Sequence, residues 1–204
     1  MRWLLLPLAF LLGSIPFGFL LYRWRRGGDI RRSGSGNIGA TNVLRTAGKK
    51  LGMVTLLLDA CKGWVSVWLA LHWGGGNTAL IAACVFLVIA GHIFSPWLSG
   101  RGGKGVATAL GAFLALAALE LAGAVVVFVI VAVWWRYVSL ASICACVALP
   151  LLLLIPMQAG RVAPVEAAVA AAAAALIIYR HKGNLARLRR GTESRLGTRV
   201  GKMA

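Results

Sequence analysis

Acidic side chains are scarce in this 204-residue chain: Asp29, Asp59, Glu120, Glu166 and Glu193 stand against 22 Lys+Arg. That leaves no acid to complete a Ser-His-Asp arrangement. With only three well-separated histidines, it also leaves no cluster of the kind a metal needs. Charge of either sign is low at 13% of residues, against ~25% in soluble domains. Because 60% of the residues are apolar, a soluble globular domain and a disordered tail are both excluded. Cys61, Cys84, Cys144 and Cys146 lie in apolar runs with no close spacing beyond one C-x-C, and read as buried thiols. The net charge is nevertheless +17, and its distribution decides what it means. Most of the length is charge-free and apolar, so the excess reads as a positive-inside bias on an anionic bilayer surface, with no nucleic-acid partner.

A helix crosses the hydrocarbon layer with about 20 apolar residues. Residues 3–22 meet that length, have Arg2 before them and Arg23, Arg25 and Arg26 after them, and lack a small-residue cleavage site. They read as a retained first span with its amino end outside. The basic stretch 23–50 is then cytoplasmic. Residues 51–72 form a second span interrupted by Asp59 and Lys62, 74–77 an outer turn, and 78–98 a third span returning to Arg101 and Lys104.

Residues 106–135 would make a helix about 45 Å long, too long for one ordinary span. Read as one span, they place Arg136 and the basic C-terminus outside. Read as two short helices turning near Glu120, Leu121, Ala122 and Gly123, and followed by spans 138–157 and 165–179, they return every basic loop to one side. The expectation is an all-α integral membrane protein, a single domain over 1–204. It has seven transmembrane helices, two of them short, and cytoplasmic glycine-rich motif loops. Of the 22 Lys+Arg, all but Arg2, Arg161 and Lys62 are then cytoplasmic, with the N-terminus outside and the C-terminus inside. No internal repeat is evident, and the alanine run 167–175 suits close helix packing in lipid.

Three cytoplasmic segments are too specific in composition to be connectors: RRSGSGNIGATNVLR (31–45), GHIFSPWLSGRGGKGVAT (91–108) and HKGNLARLRRGTE (181–193). Glycines let backbone N–H groups converge on an anion, and a helix starting just afterwards adds its positive dipole end. The first two segments pair glycines with a cation, Arg45 and Lys104. The third sets His181 and Asn184 three apart, on one helix face. Together they offer phosphate-sized anion sites beside hydroxyl, amide and imidazole groups. The bland alternative, that glycine turns merely connect spans and cations merely orient them, is weakened by the convergence of all three on one side.

Two soluble-protein motifs are refused. Residues 34–39 fit G-x-G-x-x-G and Asp59 lies 20 residues beyond, but no apolar strand precedes them and Asp59 falls inside a span. Gly103-Lys104 is not a P-loop, since Leu98 replaces the first glycine and Gly105 the Ser/Thr. Asp59 and Lys62 can pair on one helix face, in a structural or a functional role. Ser139 and Ser142, one turn apart, read as helix hydroxyls bonding the backbone, unless Ser142 faces the polar pocket.

These three segments, with Asp-x-x-Lys-Gly at 59–63, resemble the bacterial acyl-phosphate:glycerol-3-phosphate acyltransferase (PlsY) family almost end to end. The resemblance implies transfer of a fatty acyl group from acyl phosphate to the 1-hydroxyl of sn-glycerol 3-phosphate. The products would be lysophosphatidic acid and phosphate, in the first step of phospholipid synthesis at the bacterial inner membrane. The family lacks the H-x4-D signature of other glycerolipid acyltransferases. Here too, Asn77, Trp97 and Ala186 stand five residues after His72, His92 and His181.

The resemblance implies that Ser35, Arg45, Lys104, His181 and Asn184 contact the phosphate and hydroxyls of glycerol 3-phosphate. Backbone N–H groups around Gly36, Asn37, Gly39 and Gly103, with Thr41, Asn42 and Ser142 nearby, would hold the acyl phosphate. No metal and no organic cofactor is expected. The expected partners are the two substrates, the lipid bilayer and a soluble acyl-phosphate-forming enzyme. Acyl phosphate already carries a good leaving group, so positioning and charge stabilisation suffice without a protein nucleophile. No carboxylate base is evident, and a substrate phosphate oxygen is expected to take the hydroxyl proton. The competing readings are a transporter and a non-catalytic binder of a phosphorylated metabolite. A transporter keeps its polar site near the bilayer midplane on broken helices or repeats, whereas these clusters lie at one surface.

Overall fold

Pro16 divides the first apolar run. Its ring pushes Ile15 to extended backbone (φ −60°, ψ 117°) and removes a donor. In the computed structural model, which describes residues 1–197, α1 (Leu5–Ser14) and α2 (Phe17–Arg26) therefore replace the single helix expected over 3–22. Together with the short turn before them they still form one apolar stretch, Arg2–Arg26, long enough to cross a bilayer. The first glycine loop leads into α3 (Ala40–Ala47). Next come α4 (Lys49–Trp73) and α5 (Thr78–Ile93), the latter capped by Asn77, whose Oδ1 accepts the Leu80 N–H at 2.9 Å.

The run 106–135 is broken as expected, but at Ala117 (φ −150°, ψ 64°) and not near 120–123. Glu120 lies in the first turn of α7 (Ala118–Trp135), where a carboxylate complements the positive helix end. The polar residue that suggested a turn therefore marks a helix start. Only α6 (Val106–Leu116) is short, at 11 residues; the 18 residues of α7 suffice to span, which corrects the expectation of two short middle helices. The chain continues through α8 (Val138–Gln158), α9 (Pro164–Arg180) and α10 (Lys182–Arg189). Among the described residues there is no strand, and five stretches are long and apolar enough to cross a membrane: Arg2–Arg26, Lys49–Trp73, Thr78–Leu98, Ala118–Trp135 and Val138–Gln158.

The interior is built where α1, α4, α5, α6 and α9 meet, around Val67, Val85, Ile89, Phe113 and Ile177, all buried. Val126, Val129, Ile130 and Val133 on α7 are exposed, the side-chain chemistry of a lipid-facing surface. α4 and α6 touch backbone to backbone. A Cβ on Gly63 would lie 2.1 Å from Thr108 O, and one on Gly111 only 1.7 Å from Ala60 O, so neither position admits a side chain. A smaller apolar cluster of Tyr22, Ile30, Ile38, Val43 and Leu98 pins the first glycine loop to the bundle.

Candidate active site

Asn42, buried on α3, organises the first glycine loop. Its Nδ2 donates to Ser33 O (3.0 Å) and Asn37 O (2.7 Å), and its Oδ1 accepts the Ser35 N–H at 2.9 Å. Gly34 passes it in left-handed backbone (φ 59°), where a Cβ would sit 2.3 Å from Asn42 Oδ1. The Gly36 N–H donates to Ser33 O at 3.1 Å and the Gly39 N–H to Asn37 Oδ1 at 2.7 Å. In the second loop, the Gly103 N–H donates to His92 O at 3.1 Å and the Gly102 N–H to Ile93 O at 3.0 Å. The N–H groups of Gly36, Gly39 and Gly103, expected with Asn37 around an anion, each donate to a protein acceptor. In this arrangement they fold the loops, and the first turn of α3, at Ala40 and Thr41, carries the positive dipole end beside them.

The second loop meets the third motif through Lys104, whose Nζ donates to Asn184 Oδ1. Asn184, buried on α10, donates in turn to Glu193 Oε1 at 2.6 Å. The same carboxylate accepts from Ser139 Oγ at 2.8 Å and Arg187 Nε at 2.7 Å. Arg45 Nη2 reaches Ser194 O at 3.4 Å. Arg136 and Leu196 exchange two further bonds, Leu196 N–H to Arg136 O at 2.6 Å and Arg136 Nη2 to Leu196 O at 2.9 Å. The segment 193–196 therefore crosses the α7–α8 turn and ties α3, α8 and α10 together. His181, 2% exposed, donates Nδ1–H to Ile177 O at 2.8 Å, which leaves Nε2 as an acceptor.

Burial pushes the Lys104 ammonium down to about 8, with Arg187, Arg45 and Arg180 adding to the fall and Glu193 opposing it. Burial and then the Lys104 charge bring His181 down to about 4, so its imidazole is neutral near pH 7. Burial alone would raise Glu193, but hydrogen bonds from Asn184, Ser139 and Arg187 outweigh it and hold the carboxyl below its ordinary range. Around Lys104 the single carboxylate of Glu193 is outnumbered by Arg45, Arg180, Arg187 and Lys104 itself, an excess that suits a phosphate dianion.

Of the expected site residues, the structure brings Arg45, Lys104, His181 and Asn184 together. Ser35 is exposed on the first loop, and the buried Ser142 donates its Oγ to Val138 O at 2.8 Å. Glu193 is not among the expected site residues, yet its carboxylate bonds Asn184, Ser139 and Arg187 at the centre of this cluster. Its signal was its place as the last acid of the chain, closing the third motif. Ser139 bonds this carboxylate and not the helix backbone.

A family profile described as "Glycerol-3-phosphate acyltransferase" matches residues 3–191. The chain is 45% identical over 193 residues to the glycerol-3-phosphate acyltransferase of Syntrophotalea carbinolica, covering 95% of this chain and 96% of that protein. To the enzyme of the same name from Trichlorobacter lovleyi it is 46% identical over 188 residues, covering 92% and 93%. It also resembles the crystal structure of PlsY (YgiH), an integral membrane glycerol 3-phosphate acyltransferase, in its glycerol 3-phosphate form. The TM-score is 0.88 and the identity 38%, over 97% of this chain and 96% of that one. The lysophosphatidic acid form of that protein matches with a TM-score of 0.85 at 38% identity, over the same 97% and 96%.

Proposed function

The chain belongs to the glycerol-3-phosphate acyltransferase family, and from that premise we propose that it transfers a fatty acyl group from acyl phosphate to the 1-hydroxyl of sn-glycerol 3-phosphate. The products are lysophosphatidic acid and phosphate. The observation that carries this reading is the Lys104–Asn184–Glu193 network, with neutral His181 beside it and positive charge in excess, at one end of an apolar bundle. Two phosphate-bearing substrates need that excess, and a water-poor site strengthens its effect.

In this reading Arg45 and Lys104 hold the phosphate of glycerol 3-phosphate, while Ser35 and Asn184 hold its hydroxyls. His181 Nε2 accepts a hydrogen bond from the attacking 1-hydroxyl. The acyl phosphate lies along the first turn of α3 with Thr41 and Ser142, on a seat shaped by Gly36, Asn37, Gly39, Asn42 and Gly103. The hydroxyl oxygen attacks the acyl carbonyl carbon, the carbon–oxygen bond to phosphate breaks, and the phosphate leaves with the electron pair. The hydroxyl proton goes to a phosphate oxygen, because an imidazole titrating at about 4 is too weak a base to keep it. The basic end faces the cytoplasm of an inner membrane crossed seven times, with the amino terminus outside, and a soluble enzyme supplies acyl phosphate at that surface.

The test is the purified protein in detergent with palmitoyl phosphate and glycerol 3-phosphate. Lysophosphatidic acid and inorganic phosphate should form one for one, at a rate unchanged by EDTA. Equal turnover with palmitoyl-CoA in place of palmitoyl phosphate would overturn the assignment of the donor.

A further inference from the structure

A second buried charge cluster lies inside the bundle, and the reaction proposed above uses none of it. Asp59 and Lys62 on α4 are paired at 2.8 Å, and with His92 near the end of α5 they are at most 5% exposed. Lys62 Nζ also donates to Ile15 O at 2.7 Å and lies 2.8 Å from His92 Nδ1; that ring nitrogen is 3.6 Å from Asp59 Oδ1. An ammonium has three protons, and three acceptors surround this one. His92 Nδ1 is therefore the acceptor and the ring proton sits on Nε2. Buried charges at this depth persist only when paired, and they mark a role.

Each partner leads to the second glycine loop. The loop folds back on His92, whose carbonyl accepts the Gly103 N–H at 3.1 Å. The His92 ring lies so close that a Cβ on Gly103 would be 2.1 Å from Nε2. Lys104 is the next residue. Ile15 O is a carbonyl left without a helical partner by the break at Pro16. Its neighbour Ser14 is gripped from the segment that opens the loop: Ser95 Oγ donates to Ser14 O at 2.6 Å and Trp97 Nε1 to Ser14 Oγ at 2.8 Å. Gly63, adjacent to Lys62, lets α6 rest on α4, and α6 begins where the loop ends. The segment 59–63 thus supports the loop at its departure, through His92, and at its return, through α6.

We propose that Asp59, Lys62 and His92 are positioning residues that set the register of loop 102–105, and with it the place of the Lys104 ammonium on the phosphate of glycerol 3-phosphate. None of the three touches substrate. The inference rests on the reading of Lys104 as a phosphate contact. A displaced loop weakens the acceptor through Lys104, and the acyl-phosphate seat to a smaller degree through Gly103, whereas a merely destabilised bundle lowers the active fraction and leaves both KM values alone.

The experiment compares three full-length variants in detergent, with both KM values, kcat and thermal unfolding measured for each. Two carry single changes, His92→Leu and His92→Asn, and the third combines Asp59→Asn with Lys62→Met, which removes both charges together and orphans neither. His92→Leu and the neutral double variant should raise the KM for glycerol 3-phosphate at least tenfold, with a smaller rise in that for palmitoyl phosphate. His92→Asn, which keeps an acceptor where Nδ1 stands, should recover most of the loss. Wild-type acceptor KM in His92→Leu and the double variant overturns the proposal. So does a loss confined to kcat that follows the unfolding temperature. Lys104→Ala is measured in parallel, and an unchanged acceptor KM in that variant strikes the site reading itself.

Discussion

Lys62 and Lys104 are each held beside a carboxylate, a histidine and a hydrogen-bonded partner, yet the two clusters differ in their balance of charge. Around Lys62 the ammonium meets Asp59, Ile15 O and His92 Nδ1, and one cation faces one anion. Around Lys104 the acceptor is Asn184, the lone Glu193 is outnumbered by four cations, and His181 Nε2 remains an acceptor. A charge-balanced cluster holds elements in place. One with surplus positive charge and a neutral imidazole awaits an anion and a hydroxyl. Composition alone does not separate scaffold from chemistry; the balance of charge does.

The largest effect that would sharpen this contrast is on stability. Lys62→Met leaves Asp59 buried and unpaired, at a cost of about 3–5 kcal/mol, and should lower the unfolding temperature far more than Lys104→Ala does. Similar melting curves for the two would erase the distinction. In activity the order reverses. Lys104→Ala removes a charge-assisted bond worth about 1.5–3 kcal/mol, so kcat/KM should fall at least tenfold.

The wild type should also lose kcat/KM as pH rises through about 8, where the Lys104 ammonium is deprotonated. Lys104→Arg should abolish that alkaline limb, and a limb that persists in Lys104→Arg belongs to another group. Next come His181→Ala and Asn184→Ala, each expected to weaken acceptor use severalfold, by about 1 kcal/mol or more. Arg190→Ala removes only an exposed charge and should stay close to wild type. Indistinguishable acceptor kinetics in all three would take the third motif out of the site.

The smallest effect concerns Glu193. Its carboxyl titrates below its ordinary value of 4.5 in the folded protein, so the unfolded chain binds the extra proton as pH falls. The stability it contributes is present above about pH 4.5 and is lost as pH falls through the folded value. Glu193→Gln should flatten the acid side of the melting-temperature profile, and an unaltered profile would show that the network around Asn184 draws nothing from this charge.

Much of the site was legible because it is local. Arg45 and Lys104 follow glycines in their own loops, and the i, i+3 spacing of His181 and Asn184 is read directly from the chain. Glu193 was not legible as a site residue, because its partners Ser139 and Asn184 come from α8 and α10 and only the folded C-terminal segment brings them together. What the glycine N–H groups meet was not legible for a related reason. Their partners, Ser33 O for Gly36, Asn37 Oδ1 for Gly39 and His92 O for Gly103, are set by how the loops fold in three dimensions.

Apolar run length and basic-residue placement determined, from the sequence by itself, that this is a helical membrane protein with three polar motifs gathered at one end. Both properties act through transfer free energies summed along the chain, which need no tertiary partner. Where the long middle run breaks was decided at Ala117 by packing, since no proline or glycine stands there to do it. Tertiary structure also decided which of two buried lysines is spoken for. Lys62 lies in an apolar span and Lys104 in a glycine loop, but neither setting states what its ammonium will meet. Asp59 on the same helix, with the Ile15 carbonyl and the His92 imidazole brought in from other parts of the fold, occupies the one, whereas the other faces a site with charge to spare.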